Sequence, residues 1–372
     1  MPAERLTVLR LANFVSPTSG GIRTVLRRLS HAQADLGVRS MIVVPGPSSG
    51  IQAVEGELEV GTLPGVRFAP GQPYRLVLDR RAVRALLDEV RPDIVEVHDQ
   101  LTLAWLGTEC ARRGIHSVLV VHERLDLLTA FWSRLPIASG PTARWLGRVG
   151  RSFDVVVAPS RFAAAPFAAA GIDVQIVHWG VEGSVFRPDP PVGPRGRGKL
   201  GEPAAARGRT LRLIHAGRLS AEKDPGLSVR TAEYLARQGL EVELAVIGAG
   251  PQGRRVAQCP LVRMVGYLDG PERMARTLRE ADVFMAPGPF ETFGVSALEA
   301  MACGLPVVCR ESGSISEIPG THPAPGTARG FGEAAKALAD DRDARARSAQ
   351  SAKQYTWARA ASELATAYRC AS

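Results

Sequence analysis

Two carboxylates, Glu291 and Glu299, are eight residues apart and flank a segment that follows a predicted strand and turns into a predicted helix. The first turn of that helix offers backbone N–H groups, which can face a phosphate. These groups belong to Phe293, Gly294 and Val295. Glu299 can then accept hydrogen bonds from ligand hydroxyls, and Glu291 lies beside the reacting group. The alternative is a pair of solvated carboxylates, which the apolar residues around Glu299 disfavour.

A loop after an earlier predicted strand carries two cations, Arg218 and Lys223. A planar guanidinium and a mobile ammonium on one loop can clamp a diphosphate, and both bind more strongly when partly desolvated. Two solvated side chains are the alternative. Because the chain has only four lysines against 42 arginines, we favour a functional role for Lys223.

Paired glycines, Gly20 and Gly21, precede a predicted helix over residues 22–36. They let backbone N–H groups approach an anion, and the helix N-terminus adds partial positive charge. Their place after the first predicted strand favours anion binding over a simple tight turn.

One histidine, His122, follows a predicted buried strand over residues 117–121. This place suits a hydrogen-bond donor to a reacting group, although a satisfied core histidine is the more frequent outcome. His98 is similarly placed after the strand at 93–97 and gives a weaker signal. Three other histidines are interpreted as structural: His31, His178 and His215.

A G-x-G-x-x-G motif begins at Gly248 after a predicted strand, and Asp269 follows at a distance typical of a dinucleotide fingerprint. However, Asp269 lies several residues beyond the end of its strand. The motif also does not open the first strand-to-helix turn of its domain. NAD binding therefore stays only as an alternative.

The one Asp-x-Asp motif, Asp341 to Asp343, falls in a polar helical stretch and not after a strand. It gives no support for a metal site, and we predict none. Arg218, Lys223 and helix dipoles would have to neutralise a bound diphosphate.

Short apolar strands alternate with helices along the chain, which predicts βαβ units around parallel sheets. The predicted strands are 6–11, 41–44, 93–97, 117–121, 154–157, 174–177, 211–214, 242–247, 261–265, 283–285 and 306–308. Ligands of such sheets bind at the carboxyl ends of strands, where the candidate loops lie.

The length of 372 residues predicts two domains. We place an α/β domain at 1–183, a Pro-, Gly- and Arg-rich linker at 184–210, a second α/β domain at 211–354, and a helix at 355–372 that packs back on the first domain. Of the formal charge of +9, the linker contributes six Arg or Lys against two Asp or Glu. No basic face interleaved with aromatics is evident, so a nucleic-acid partner is not predicted.

The five cysteines lack CxxC spacing, and this favours a reducing compartment without disulfides or structural zinc. The first fifteen residues contain Arg10 and Asn13 and do not resemble a signal peptide. No apolar run reaches the length of a spanning helix. We expect a cytoplasmic protein, with contact at the inner membrane face left open.

Together these residues resemble a family-4 glycosyltransferase of the GT-B fold. The resemblance covers nearly the whole chain, and the order and spacing of the matching segments are highly specific. They are Gly20-Gly21, Pro92-Asp93-Ile94-Val95, Ala158-Pro159-Ser160, His178-Trp179-Gly180-Val181-Glu182, Gly217-Arg218 with Lys223, Ile247-Gly248-Ala249-Gly250-Pro251, and Glu291 to Glu299 running into Ala300-Met301-Ala302-Cys303-Gly304-Leu305-Pro306.

The resemblance implies two facing Rossmann-like domains with a cleft between them, and retaining transfer without a metal ion or cofactor. The partners would be a nucleotide-sugar donor in the second domain and an acceptor in the first. The implied catalytic residues are His122, Glu291, Arg218 and Lys223. The implied donor-binding residues are Gly20, Gly21, Gly248, Gly266, Tyr267, Phe293, Gly294, Val295 and Glu299.

Within that set, Arg218 and Lys223 would bind the diphosphate, Glu299 the ribose, and Glu291 with His122 the donor sugar. The backbone near Gly266 and Tyr267 would meet the base.

The predicted donor is GDP-mannose, because residues 117–126 and 287–289 are similar to actinobacterial GDP-mannose-dependent α-mannosyltransferases. A UDP-hexose or UDP-N-acetylhexosamine stays open, since backbone groups largely read the base. The segment Trp179-Gly180-Val181-Glu182 departs from the Asn-Gly-Val-Asp of many relatives.

The acceptor is a lipid, a glycan or a soluble natural product. Residues 127–151 combine aromatic and arginine side chains and fit either an anionic membrane surface or a core helix with a basic edge. A non-catalytic nucleotide-sugar-binding protein, an NAD-dependent oxidoreductase and a sugar-nucleotide epimerase are the alternatives from other classes.

Overall fold

A computed structural model describes residues 6–15, 20–55, 58–68, 74–135, 139–189 and 210–369. The chain divides into two compact units, Met1–Gly180 with Trp357–Ser372, and Val181–Thr356. Two predicted features lie outside the described residues, namely the loop 16–19 before Gly20 and residues 190–209 of the predicted linker. In the described ranges, no helix is both long and apolar enough to cross a bilayer.

The first unit alternates strands and helices. In chain order its elements are β1 (Thr7–Leu11), α1 (Gly21–Ala34), β2 (Arg39–Gly46), β3 (Gly50–Glu55), β4 (Leu58–Pro64), β5 (Val66–Arg67), β6 (Arg75–Leu76), α2 (Arg80–Val90), β7 (Ile94–Val97), α3 (Leu106–Arg113), β8 (His116–Val120), α4 (Leu125–Ser133), α5 (Ser139–Gly150), β9 (Val155–Ala158), α6 (Arg161–Ala168) and β10 (Val174–Ile176), and it is completed by the C-terminal helix α13 (Trp357–Arg369).

Its main sheet has the order β10-β9-β8-β7-β1-β2-β4-β3, as far as the described residues go. Neighbours are parallel except β3, which runs antiparallel to β4. The central strands β7 and β9 are buried at every position, as expected of parallel strands covered on both faces. Arg10 on β1 lies directly opposite Glu96 on β7 in this register. Two charged residues therefore meet inside the buried sheet.

The C-terminal helix α13 packs against α1 within the first unit. Its buried face includes Trp357, Leu364 and Tyr368. This arrangement confirms the predicted return of the last helix to the first domain.

The second unit repeats the alternation. Its elements are β11 (Leu211–Ala216), α7 (Pro225–Arg237), β12 (Val242–Ile247), α8 (Gly253–Val256), β13 (Val262–Gly266), α9 (Pro271–Glu280), β14 (Val283–Ala286), α10 (Val295–Ala302), β15 (Val307–Arg310), β16 (His322–Ala324), α11 (Ala328–Asp340) and α12 (Ala344–Ala352). The described strands form one parallel sheet in the order β13-β12-β11-β14-β15-β16. The carboxyl ends of β11, β12 and β14 are therefore adjacent.

The predicted strands are all present, with ends within two residues of the predicted ones, and the α/β class is confirmed. The strands β3 to β6 and β16 were not predicted, because they are short, or interrupted by glycine or proline. The predicted placement of Asp341 and Asp343 inside a helix is wrong, because they lie in the turn between α11 and α12. There Asp343 N donates to Asp341 Oδ1 at 2.9 Å, and such an Asx turn ends a helix.

Candidate active site

The loop after β11 places Arg218 and Lys223. A single 3-10 turn, Ala221–Lys223, leads into Asp224, which has φ 45° and caps α7 by accepting from Leu227 N at 3.1 Å. Arg310 holds the same carboxylate, with Nη2 2.6 Å from Asp224 Oδ2. Lys223 therefore projects from a turn that the hydrogen bonds of Asp224 hold in place. Arg218 lies partly buried on the preceding loop.

Lys223 and Glu291 come together as an ion pair. The Nζ to Oε1 distance is 2.7 Å, and the two side chains are 32% and 27% exposed. The backbone carbonyl of Glu291 accepts a hydrogen bond from Ser314 Oγ at 2.6 Å, which fixes the loop after β14. The pair brings a cation from the β11 loop and a carboxylate from the β14 loop to one place at the sheet edge.

The N-terminus of α10 begins four residues after Glu291. Gly294 precedes it with φ 87°, and a Cβ there would lie 2.6 Å from Ile315 Cγ1, so glycine is required. Among the described residues, no side chain caps this end, and the first turn of the helix has no acidic residue. Phe293 is buried, with its ring 6.1 Å from that of Tyr355. The first turn, which begins at Val295, can therefore offer N–H groups to an anion.

The remaining predicted donor-binding residues of the second unit lie on α10 and after β13. Glu299 is partly buried in the second turn of α10. Gly266 ends β13, and its carbonyl accepts from Gly248 N at 2.8 Å. The Tyr267 side chain is 53% exposed and offers a wide aromatic face.

The glycine motif after β12 has a structural reason. A Cβ on Gly248 would overlap the carbonyl oxygen of Gly217, and one on Gly250 would lie 2.5 Å from the carbonyl oxygen of Leu219. Leu219 N donates in turn to Ala249 O at 3.0 Å. The motif therefore lets the β12 loop pack backbone to backbone against the loop that carries Arg218.

His215 lies near the end of β11, and the sequence predicts a structural role for it. The charges of Lys223 and Glu291 nevertheless act on its ring. Its ring is buried, Nδ1 lies 3.1 Å from Ser228 Oγ, and Nε2 has no hydrogen-bond partner among the described residues. Burial lowers the pKa of His215 to about 4; the Glu291 carboxylate opposes this shift and the Lys223 ammonium adds to it. A polar residue near the end of a strand, beside the candidate loops, was the signal available in the sequence.

We expect His215 to make the free energy of unfolding fall as the pH drops from 6.5 to 4. The unfolded state gains a proton near pH 6.5 and the folded state only near pH 4, so acid favours unfolding within this window. For one group the full loss is about 3 kcal/mol. In urea titrations across this window, His215→Asn should reduce the slope of stability against pH, and the exposed His322→Asn should not. Equal slopes for all three proteins would contradict the expectation.

In the first unit, His122 follows β8 and is partly buried. Its Nε2 lies 2.8 Å from Nδ1 of His98, which follows β7. The Trp179 ring stacks on the imidazole of His122 with a centroid distance of 6.0 Å and an interplanar angle of 19°. The weaker histidine candidate of the sequence is thus a direct partner of the stronger one.

The histidine pair continues into the buried charge pair of the sheet. Nε2 of His98 lies 3.1 Å from Glu96 Oε2, which also accepts from Arg10 Nε at 2.7 Å. Sequence reasoning did not assign Arg10 or Glu96 to the site.

Gly21 begins α1 in the first unit, and Gly20 directly precedes it. Neither has a positive φ, and a Cβ on either would meet no atom of the described residues within 4 Å.

Two family models match the sequence, Glycosyltransferase Family 4 over residues 19–184 and Glycosyl transferases group 1 over residues 210–341. A GDP-mannose-dependent alpha-(1-6)-phosphatidylinositol dimannoside mannosyltransferase of Mycobacterium tuberculosis is 32% identical, over 84% of this chain and 81% of the relative. A D-inositol 3-phosphate glycosyltransferase of Arthrobacter is 28% identical, over 81% of this chain and 76% of the relative.

Solved structures agree on the fold. A sucrose-phosphate synthase from Thermosynechococcus elongatus superposes with a TM-score of 0.75 at 17% identity, covering 98% of this chain and 99% of that chain. Anabaena HepE in complex with UDP and glucose gives 0.70 at 16% identity, covering 98% and 100%. With the two matched family models and the mycobacterial relative, these likenesses show that the chain belongs to glycosyltransferase family 4 and has the GT-B fold.

Proposed function

We propose that the protein transfers a mannosyl residue from GDP-mannose to a hydroxyl group of a lipid or glycan acceptor, with retention of the anomeric configuration. The observation that carries the proposal is the Lys223–Glu291 pair, 2.7 Å apart and followed by the uncapped N-terminus of α10. The proposal of retention rests on the resemblance to retaining members of the family.

In the proposed reaction, the bond from the anomeric carbon to the diphosphate breaks while the bond to the acceptor oxygen forms, and the proton of the acceptor hydroxyl passes to the departing phosphate. Negative charge then develops on the departing phosphate, and preorganised cations and dipoles are suited to stabilise it. Arg218, Lys223 and the N-terminus of α10 would supply this positive charge, so we propose that no metal ion is needed. Lys223 would leave Glu291 for the phosphate, and Glu291 would accept from hydroxyls of the donor sugar.

The remaining donor contacts follow the same proposal. Glu299 would accept from the ribose, and the backbone at Gly248 and Gly266 with the Tyr267 ring would meet the base. In the first unit, a side chain at Gly20 or Gly21 would meet no described atom, and a phosphate contact at the start of α1 follows the same proposal. His122 would meet the donor sugar.

GDP-mannose is the preferred donor because relatives named for GDP-mannose cover most of the chain. Besides the mycobacterial enzyme, a GDP-mannose-dependent alpha-mannosyltransferase of Corynebacterium glutamicum is 26% identical over 81% of this chain and 71% of the relative.

A lipid acceptor is supported by the surface at the end of α4. Phe131, Trp132 and Leu135 are 38%, 61% and 55% exposed, next to the exposed Arg134. By contrast Leu146 on α5 is fully buried, so α5 packs into the core of the unit. We therefore propose that α4, and not the whole segment 127–151, meets an anionic membrane at its interface.

The donor is tested by thermal shift with GDP, UDP, ADP, dTDP and NAD in the absence of added metal. A nucleotide at a hundred times its dissociation constant adds about 2.7 kcal/mol to the apparent stability, which is enough to rank the bases. Stabilisation by GDP alone is expected. A response to UDP alone would mean that the donor is a UDP-sugar and not GDP-mannose. A response to NAD alone would overturn the proposed reaction.

The acceptor is tested with labelled GDP-mannose and two acceptors, phosphatidylinositol mannoside in anionic vesicles and soluble inositol phosphate. Label is expected in the lipid, with co-sedimentation of the protein at low salt. Trp132→Ser should weaken co-sedimentation, whereas Leu36→Ser, which removes another exposed apolar side chain, should not. Label only in the soluble acceptor would contradict the lipid acceptor. Retention is tested separately, because proton NMR of the product reports the anomeric configuration.

A further inference from the structure

A buried polar chain leads from the sheet to His122. Arg10, Glu96 and His98 are 0%, 0% and 3% exposed, and the last of them touches His122. The contacts are 2.7 Å from Arg10 Nε to Glu96 Oε2, 3.1 Å from Glu96 Oε2 to His98 Nε2, and 2.8 Å from His98 Nδ1 to His122 Nε2. Each group comes from a different strand or loop, yet they form one continuous line.

The Glu96 carboxylate is fixed at both oxygens. Oε2 accepts from Arg10 and His98, and Oε1 accepts from the hydroxyl of Tyr368 on α13. The oxygen of the same hydroxyl accepts a hydrogen bond from Gln33 Nε2 at 3.1 Å. Arg10 is held further by Ser30 and Ser40, whose hydroxyl oxygens lie 2.8 Å and 2.6 Å from Nη1.

The protonation states along this chain follow from its charges. Burial alone would raise the pKa of Glu96, but the Arg10 guanidinium and the hydrogen bond from His98 outweigh it and hold the pKa at about 2. Burial lowers the pKa of His98 despite the nearby carboxylate, and burial with His98 lowers the pKa of His122 well below its usual value. At neutral pH, Glu96 is therefore a carboxylate, and the imidazoles of His98 and His122 are both neutral.

A carboxylate can only accept a hydrogen bond, and a neutral imidazole has one N–H group and one acceptor nitrogen. His98 must use its N–H on Glu96, which leaves Nδ1 as an acceptor toward His122. His122 must then donate from Nε2, so its Nδ1 carries the lone pair.

We propose that His98 is a positioning residue that holds His122 in the Nε2-protonated tautomer, so that Nδ1 of His122 can only accept a hydrogen bond. This inference rests on the proposed function for its role in catalysis: the sugar group that meets Nδ1 must be a hydroxyl donor. It reverses the expectation from the sequence that His122 acts as a donor. The Trp179 ring fixes the plane of the same imidazole by stacking, which explains one residue in the segment that departs from the family pattern.

The tautomer is tested without any activity measurement. Long-range proton–nitrogen NMR spectra of the full-length protein, with labelled histidine, distinguish protonated from unprotonated ring nitrogens, and loss of one signal set in His122→Gln assigns that residue. We expect His122 to be protonated at Nε2 alone at pH 7. A proton on Nδ1, or on both nitrogens, would overturn the proposal, whether or not transfer from GDP-mannose is observed.

The role of His98 is tested by two substitutions. His98→Leu removes the acceptor and should give a mixture of His122 tautomers, with kcat lowered roughly tenfold to a hundredfold and KM little changed. His98→Gln, whose amide can both donate and accept, should restore most of the tautomer preference and of kcat. The exposed His31→Asn is the matched control. An unchanged tautomer in His98→Leu would contradict the proposal, and absence of transfer by the wild-type protein with the expected tautomer would contradict only the proposed function.

Discussion

Replacing Lys223 by methionine is expected to lower kcat/KM for sugar transfer by roughly a hundredfold to a thousandfold, the usual cost of removing one preorganised group that stabilises transition-state charge. Methionine keeps most of the length of the side chain and removes the ammonium that lies 2.7 Å from Glu291 Oε1. The fold should be little affected, because a partly exposed ion pair contributes only about 0–1 kcal/mol. The measurement is the initial rate of transfer from GDP-mannose, beside a thermal melt.

The control for this experiment is Lys336→Met, which removes an exposed lysine on α11 and should leave the rate unchanged. The double variant Lys223→Met with Glu291→Gln adds a second test. If the two side chains act as a unit, their combined loss falls well short of the product of the single losses. A Lys223→Met protein with a rate within threefold of wild type would remove this residue from the proposed site.

Replacing Glu96 by leucine is expected to destabilise the first unit by about 3–5 kcal/mol, because it leaves Arg10 charged and buried without a counter-ion. Both side chains are fully buried, so water cannot screen the stranded charge. For a unit of this size the melting temperature should fall by roughly 10 °C. Circular dichroism during heating and urea titration measure the loss.

A compensating substitution separates the stranded charge from simple loss of packing. Arg10→Met together with Glu96→Leu removes both charges, and replacing a buried ion pair by apolar residues of similar volume is often neutral or stabilising. We expect the double variant to melt well above Glu96→Leu alone. A double variant no more stable than the single one would contradict the explanation by a stranded charge.

The fold was predictable wherever a strand is a short apolar run covered on both faces. Strands such as β7, β9 and β14 are buried at every position and were found from composition alone. β3 and β4 were not, because at the edge of a sheet pairing between neighbouring segments defines the strand more than composition does.

The second-unit part of the candidate site was also visible in the sequence, since its residues follow strands within one sheet. The contact between Lys223 and Glu291 is the consequence, because β11 and β14 are neighbours in that sheet. The reason for the glycine motif at Gly248 was not visible, because it depends on how closely two loop backbones approach each other.

The buried residues that connect to His122 through His98 could not be predicted, for a different reason. Arg10 and Glu96 are separated by 86 positions, and nothing local says that they meet. The available signal was a single charged residue next to the last position of each of two apolar strands. If those strands are neighbours, such residues fall opposite each other in a parallel register.

The place of Tyr368 has a consequence for how the protein is made. Glu96 and Tyr368 are 272 positions apart, and the tyrosine lies on the last described helix. During synthesis the second unit, Val181–Thr356, leaves the ribosome before α13 does. Until α13 is synthesised, Glu96 therefore lacks its Tyr368 partner and α1 lacks the helix that packs against it. Domains usually fold in the order of their synthesis, but the first unit cannot complete these contacts before the second unit has been made. Folding of the first unit is thus coupled to synthesis of α13, and a nascent chain that stalls before α13 would expose the face of α1 to chaperones and proteases.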